Sequence, residues 1–219
     1  MHSFPQFPNV TSDNYSNLYV VATDIGNSQM MYGQDMLCVE LKTNDLFNIA
    51  GLMSIALPNV YASRITQPNA NISLLIANHS MSNANFYSGY SFTTPNGFNF
   101  KYFAKAGSSN LDIYEYVISP FYNDGLLCET WGRPYEADFC PPNYRYQNLN
   151  IDEISIGNYW WTSYNDHSKW GIGVNTPLVC YSDMNRMTSQ WIRGGGSLCL
   201  IDQKLFNYHK SIVNKFDSC

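Results

Sequence analysis

Residues 166–186 read DHSKWGIGVNTPLVCYSDMNR. Two β-prone runs flank the turn residues Asn175 to Pro177, so the stretch reads as a hairpin. Side chains two apart on a strand face the same way, which sets His167 beside Lys169 and turns Ser168 and Trp170 to the opposite side. The returning run LVCYSDMN places Asp183 and Asn185 on one shared side, next to the first pair if the hairpin closes at that turn. An imidazole, an ammonium and an amide donor grouped in this way suit a phosphate, whose oxygens the donors hold while the histidine attacks or protonates. H-x-K alone is a weak signal, and such residues near a sheet edge are commonly just solvated.

Outward from the hairpin, strands alternate with helices. YGQDMLCVEL (Tyr32 to Leu41), SLLIA, FNFKYFAK (Phe98 to Lys105), LLCETW and NIDEISIG read as strands. TNDLFNIAGLMSIALP reads as a helix capped at Thr43 or Asn44, with Leu46, Phe47, Ala50, Met53 and Leu57 inward, and stopped by Pro58. SSNLDIYEYVIS is a second helix burying Leu111, Tyr114, Val117 and Ile118, and DQKLFNYHKSIVNKF a third, capped by Asp202 and apolar at Leu205, Phe206, Ile212, Val213 and Phe216. The alternation predicts one α/β domain over residues 1–219, with helices packed on a mixed sheet. Trp160, Trp161 and Trp170 are read as sheet core rather than base-stacking surfaces.

The 219 residues, 45% hydrophobic and 13% charged, suffice for one sizeable core. With no apolar run of about eighteen residues, a membrane span is excluded. The start, MHSFPQFPNV, has neither a basic nor an apolar leader segment, so a removed leader or a longer precursor is expected. Six cysteines without a CxxC pair read as disulfides rather than a zinc site, and their spacing leaves the pairing open. Four glycosylation sequons, at Asn9, Asn14, Asn71 and Asn78, all in loop-like sequence, agree with an oxidising compartment and a secreted or lysosomal glycoprotein. The formal net charge of −5 opposes a simple polyphosphate binder, an objection that weakens at acid pH as carboxylates and histidines gain protons.

DHSKW, CYSDMNRMTSQ and RGGGSLC (Arg193 to Cys199) together resemble the C-terminal signature of the deoxyribonuclease II family, including its plancitoxin-like members. The resemblance runs upstream through ETWGRP near Glu129, FAK at Phe103 to Lys105, Pro58 to Tyr61 and YGQDMLCVEL, and so covers nearly the whole chain. It implies a phospholipase D-like mixed β-sheet flanked by helices, in which two H-x-K motifs meet and hydrolyse DNA with neither metal nor cofactor. By that resemblance His167 and Lys169 match the second motif, Asn185 binds phosphate and Asp183 orients or balances the basic groups. It also implies disulfides Cys180–Cys199 and Cys140–Cys219, leaving Cys38 and Cys128 as buried strand thiols or one further bridge. RGGG is read as a turn giving close backbone approach, with Arg193 a candidate phosphate contact.

These 219 residues depart from the family pattern in carrying a single H-x-K, so the N-terminal half of the fold is incomplete. MHSFPQFPN resembles the strand that follows the first motif, and His2 on it is a candidate to line the pocket. Met30 stands where the family has a cysteine partnering the missing region, which implies that the short form is native. The leading expectation is an acid endonuclease whose site assembles across a homodimer, each copy contributing His167 and Lys169. The alternative is a catalytically inactive secreted protein that keeps one half-site and binds DNA or a host protein partner. A structural glycoprotein rests on composition alone.

Overall fold

The computed structural model describes residues 32–35, 37–58, 60, 69–77, 87–132 and 136–219. His2, Asn9, Asn14, Met30 and Asn78 lie outside them. The described chain forms helix α1 (Thr43–Ala56), helix α2 (Ala70–Ile76), strands β1 (Tyr87–Thr93) and β2 (Asn99–Lys105), and a π-helical turn (Tyr114–Ile118) running into α3 (Ser119–Tyr122). Strands β3 (Leu126–Glu129), β4 (Asn148–Ile156), β5 (Tyr159–Thr162), β6 (Trp170–Gly173) and β7 (Leu178–Ser182) follow. Helix α4 (Thr188–Trp191), β8 (Gly195–Ile201), α5 (Gln203–Ile212) and β9 (Val213–Phe216) complete it.

One sheet runs in the order β1-β2-β8-β7-β6-β3-β4-β5, with β9 also paired to β4. The β3–β4 pairing is parallel and the others are antiparallel, so the sheet is mixed, as expected. Period-two alternation sends its side chains into two cores. Phe100, Tyr102, Ala104, Trp170, Ile172, Val179, Leu198 and Leu200 pack with Ile49, Ile55 and Ala56 of α1 and Ile212 of α5. Phe103, Leu126, Cys128, Leu178, Cys180 and Cys199 face the other way, against Ile113, Tyr114, Val117 and Ile118. Removing these apolar surfaces from water, at roughly 25 cal/mol per Å², holds helices to both faces of the sheet.

The hairpin closes at the predicted turn and Asp202 caps α5 as expected, accepting from Leu205 N–H at 2.7 Å, but the strands are shorter than predicted: β2 starts at Asn99, β3 ends at Glu129, and β6 and β7 leave His167, Lys169, Asp183 and Asn185 beyond the ladder. Several other expectations are corrected. Among the described residues of 32–41 there is no strand, only a bridge from Gly33 to Asp166. The apolar alternation there reflects Leu37, Val39 and Leu41 packing on the α1 core without a ladder. SLLIA lies in α2, because Asn69 accepts from Asn71 N–H at 2.8 Å and caps a helix there. The N-cap of α1 is Lys42, without a side-chain cap, and the helix buries Ile49, Ala50, Gly51, Ser54, Ile55 and Ala56, leaving Leu46 and Leu57 exposed. Its end is set by Leu57 in the left-handed region at φ 52°, just before Pro58.

The second predicted helix is only the π turn and α3, and Leu111 is half-buried. α5 stops at Ile212, since Val213 to Phe216 leave it to pair with β4, and Phe216 is exposed. Of the three tryptophans only Trp170 is fully in the core; Trp160 on edge strand β5 is 66% exposed. Asn71 sits in a helix rather than a loop, and its Nδ2 donates to Phe47 O at 3.0 Å. Both implied disulfides are present, Cys180–Cys199 joining facing residues of β7 and β8, and Cys140–Cys219 tying down the end of the chain. Cys38 is exposed and Cys128 is buried in β3, both free thiols, so neither a strand position for Cys38 nor an extra bridge survives.

The loop after β7 is fastened by Arg186, which is fully buried. Its guanidinium donates to Asn150 Oδ1 at 2.6 Å and Ala137 O at 3.2 Å, stands 3.7 Å from the Asp138 carboxylate and lies over the Phe139 ring. Removing one partner of a buried polar cluster strands the rest. Arg186→Met should therefore lose about 3–5 kcal/mol in urea unfolding; a loss under about 1 kcal/mol would show that the guanidinium is not what holds this loop.

Candidate functional site

The site forms where the hairpin runs past the end of its ladder. Ser182 N–H donates to Lys169 O at 2.8 Å, extending the β6–β7 pairing by one step beyond Trp170 and Tyr181. The pleat persists through residues 167–170: His167 and Lys169 are half-buried while Ser168 and Trp170 are buried, the alternation predicted. Lys169 Nζ folds back onto His167 O at 2.7 Å.

Asp166 anchors this stretch. Its Oδ1 accepts from Ser168 N–H at 2.7 Å and its Oδ2 from the Trp161 indole N–H at 2.7 Å. The segment Tyr32–Gly33 docks alongside through two backbone hydrogen bonds, Gly33 N–H to Asn165 O and His167 N–H to Gly33 O, both 2.8 Å. Glycine is required at 33, for a Cβ there would stand 2.7 Å from the Asp166 carboxylate and the Trp161 indole nitrogen. Docking brings the Tyr32 ring flat onto the His167 imidazole, centroids 4.4 Å apart and planes 8° apart. Trp131, just past β3, meets the same imidazole at 5.3 Å and 72°.

Trp131 also connects His167 to Asn185. Its backbone N–H donates to Asn185 Oδ1 at 3.3 Å, which leaves the Asn185 amide N–H groups as donors, the orientation useful to an anion. Asp183 follows β7, and its Oδ1 accepts from Gly196 N–H at 2.8 Å. Gly195 and Gly196 are the first residues of β8 and not a turn. They do allow close approach: a Cβ on Gly195 would stand 2.6 Å from Asp183 Oδ1. Arg193 is exposed just before β8, and its carbonyl accepts from the buried Lys105 at 2.5 Å. Lys105 Nζ also binds the carbonyls of Gln190 and Trp191, so it caps α4 and sets the course of the chain into β8.

Electrostatics couple these groups. The His167 pKa is lowered, by burial first and then by the Lys169 ammonium, against the opposing pull of Asp166. Lys169 is lowered by burial and supported by Asp35, Asp183 and Asp166. Asp183 is exposed by area, yet its carboxylate is crowded; desolvation pushes it up to about 6 against the stabilising Gly196 N–H and Lys169. Beneath the site Glu129 is fully buried on β3, and among the described residues neither of its oxygens has a hydrogen-bond partner. Burial, followed by the Asp166 and Asp152 charges, raises its pKa well above the usual carboxyl range, which favours its neutral form.

His167, Lys169, Asp183 and Asn185 thus share the open end of the hairpin, Asn185 joined to His167 through Trp131, with Arg193 near by in the chain entering β8. The arrangement offers an imidazole whose charged form burial disfavours, beside the Lys169 side chain and an amide donor set. Among the described residues no group of three or more His, Cys, Asp or Glu side chains is disposed to hold a metal ion, and no helix is long and apolar enough to cross a membrane. Sequence reasoning missed Asp166, Tyr32, Gly33 and Trp131. Tyr-Gly and Glu-Thr-Trp are conspicuous, but the contacts that give them meaning bridge distant parts of the chain.

A mixed sheet flanked by helices, with a His-x-Lys pair at a hairpin end beside an aspartate and an asparagine, has the architecture of a phospholipase D-like domain. The family model for deoxyribonuclease II matches residues 1–219. The chain is 32% identical over 98% of its length to Deoxyribonuclease-2 of Caenorhabditis elegans, covering 56% of that protein. It is 27% identical to human Deoxyribonuclease-2-beta and 26% identical to Plancitoxin-1 of Acanthaster planci, over 100% of its own length and 61% of theirs in both cases. The chain therefore belongs to the deoxyribonuclease II family, and it spans about three-fifths of the length of these relatives.

The buried carboxyls carry a pH signature. Glu115 is pushed up to about 7 by burial, and Asp112, Glu129 and Glu136 are raised for the same first reason. A native state that holds its protons more tightly has stability fully present below the ordinary carboxyl value of about 4 and lost as pH rises through the raised values. His167 and His209, both lowered by burial, act in the opposite sense below about 6.5, but they are fewer. Thermal unfolding should show Tm higher at pH 5 than at pH 7, by about 4 °C or more. A Tm lower at pH 5 than at pH 7 would mean that these carboxyls do not favour the folded state in acid.

Proposed function

We propose that this protein is an endodeoxyribonuclease that works at acid pH, in a secreted or lysosomal setting, through a histidine site completed across a homodimer. What carries the reading is the His167–Lys169 pair, side by side at the hairpin end with the Asn185 amide donors and Asp183, in a chain of this family. A ring nitrogen of His167 attacks phosphorus; the N–P bond forms as the P–O bond to the sugar oxygen breaks. The departing oxygen takes a proton from the second histidine, His167 of the other copy. That histidine then accepts a proton from the water that attacks the phosphohistidine, releasing a phosphate monoester and restoring His167. Lys169 and Asn185 offset the charge that develops on the phosphate oxygens. No step requires a metal ion.

A depressed His167 pKa supports acid operation, since the nucleophile stays uncharged to lower pH while carboxylates are neutralised and the repulsion of DNA weakens. A twofold axis would set identical residues opposite each other, the symmetry that a two-histidine site needs. One observation favours a second reading, that the protein binds DNA or a host protein without cutting: these residues carry a single H-x-K.

Plasmid nicking at pH 5 in EDTA, measured together with solution mass, separates the two. The nuclease reading predicts a dimer whose nicking falls at least about 1000-fold in His167→Ala and in Lys169→Ala. DNA retention without nicking by the wild type supports the binding reading, and a monomer whose nicking survives His167→Ala rejects the shared site.

A further inference from the structure

We infer that Tyr32 and Trp131 are positioning residues for His167, their rings clamping the imidazole in the one orientation that presents a nitrogen to the phosphodiester. The inference rests on the reading of His167 as the attacking group.

The clamp has two fixed jaws. Tyr32 lies parallel to the imidazole at 4.4 Å and is held there because Gly33 is hydrogen-bonded on both sides, to Asn165 O and from His167 N–H. The close approach of Gly33 to Asp166 sets the height of that jaw: the carboxylate that receives Ser168 N–H and the Trp161 indole also forms the surface on which Gly33 rests. Trp131 is pinned at two points, its backbone N–H on Asn185 Oδ1 and its indole N–H on Tyr164 O at 3.2 Å. Its ring meets the imidazole at 72°, so the two jaws block rotation about different axes.

A histidine at the surface ordinarily samples several ring orientations, and holding one of them is what converts a reactive group into an aligned one. The clamp also decides what surrounds the ring. A phenol face and an indole replace water on two sides, which disfavours the charged form; the cation–π attraction an imidazolium would gain from the Tyr32 face opposes this and is the smaller effect at a partly exposed ring. The charged neighbours are Asp166, adjacent in sequence, and Lys169, whose ammonium sits on the carbonyl of His167 itself; Asp35 and Asp183 face Lys169. None of these is displaced by shortening Tyr32 or Trp131.

The test follows the histidine ring signals of full-length Tyr32→Leu, Trp131→Leu and Tyr32→Phe by NMR across pH 4–8, alongside nicking. In either leucine variant His167 should titrate closer to 6.5 than in the wild type, populate both neutral tautomers, and lose roughly tenfold or more in kcat with KM little changed. Tyr32→Phe keeps the ring and should match the wild type in all three. His209, whose ring is held by Tyr181, Leu205 and Trp170, should titrate unchanged throughout, which reports an intact fold. An unaltered His167 titration and tautomer in both leucine variants overturns the clamp. Should one variant fail to fold, the other decides. If wild-type protein nicks nothing, or His167→Ala nicks normally, the nuclease reading falls, while the ring titration still judges the clamp.

Discussion

The antiparallel pairing of β6 with β7, carried one step further by Ser182 N–H on Lys169 O, is the constraint on which the site depends. A slip of one residue in that register would turn His167 and Lys169 into the core and Ser168 and Trp170 out to solvent. The register is held from several sides. Trp170 is buried in the α1–α5 core, Cys180 is bonded across to Cys199 on β8, and Asp166 ties Ser168 to Trp161 of β5. Each restraint acts on a different strand, so the polar pair is presented by the sheet rather than by a free loop.

Several buried polar and charged groups lie in the body of the fold. Glu129 lies directly behind the site, Lys105 is buried on three carbonyls, and Arg186 is buried on the loop that carries Asp183 and Asn185. Asn148 donates to the Glu115 carboxyl and in turn accepts from Ser119 at 2.9 Å. Taking such groups out of water is costly unless they are paired or neutral. Lys105 and Arg186 take the first route and Glu129 the second. The second route has a consequence for function: carboxyls kept neutral by burial favour the folded state in acid, the range in which a histidine with a depressed pKa remains a nucleophile. Stability and the chemistry proposed for His167 therefore point to the same pH.

The parts legible in the sequence were those with local signals. The hairpin announced itself through Asn175 to Pro177 between alternating runs, and α5 through Asp202 ahead of Leu205. His167 and Lys169 could be placed on one side because a strand period is enough to do so. What stayed hidden depended on tertiary contact. Leu37, Val39 and Leu41 alternate as a strand does, yet the sheet is edged by β1 and β5 and the segment packs over the core without joining it. SLLIA is too short and too uniformly apolar for its period to be read, and a single Asn69 cap decides for helix. Tyr32 and Trp131 both come to His167 from well upstream in the chain, and nothing local to either predicts that meeting.

The central claim is that the hairpin end is an anion-receiving half of a phosphodiester-cleaving site. The most direct measurement titrates inorganic phosphate into protein with labelled histidines at pH 5 and follows the ring signals. The account predicts that His167 shifts saturably, that His209 does not, and that Lys169→Ala abolishes the shift. A His167 signal indifferent to phosphate, or one that moves in parallel with His209, would contradict it.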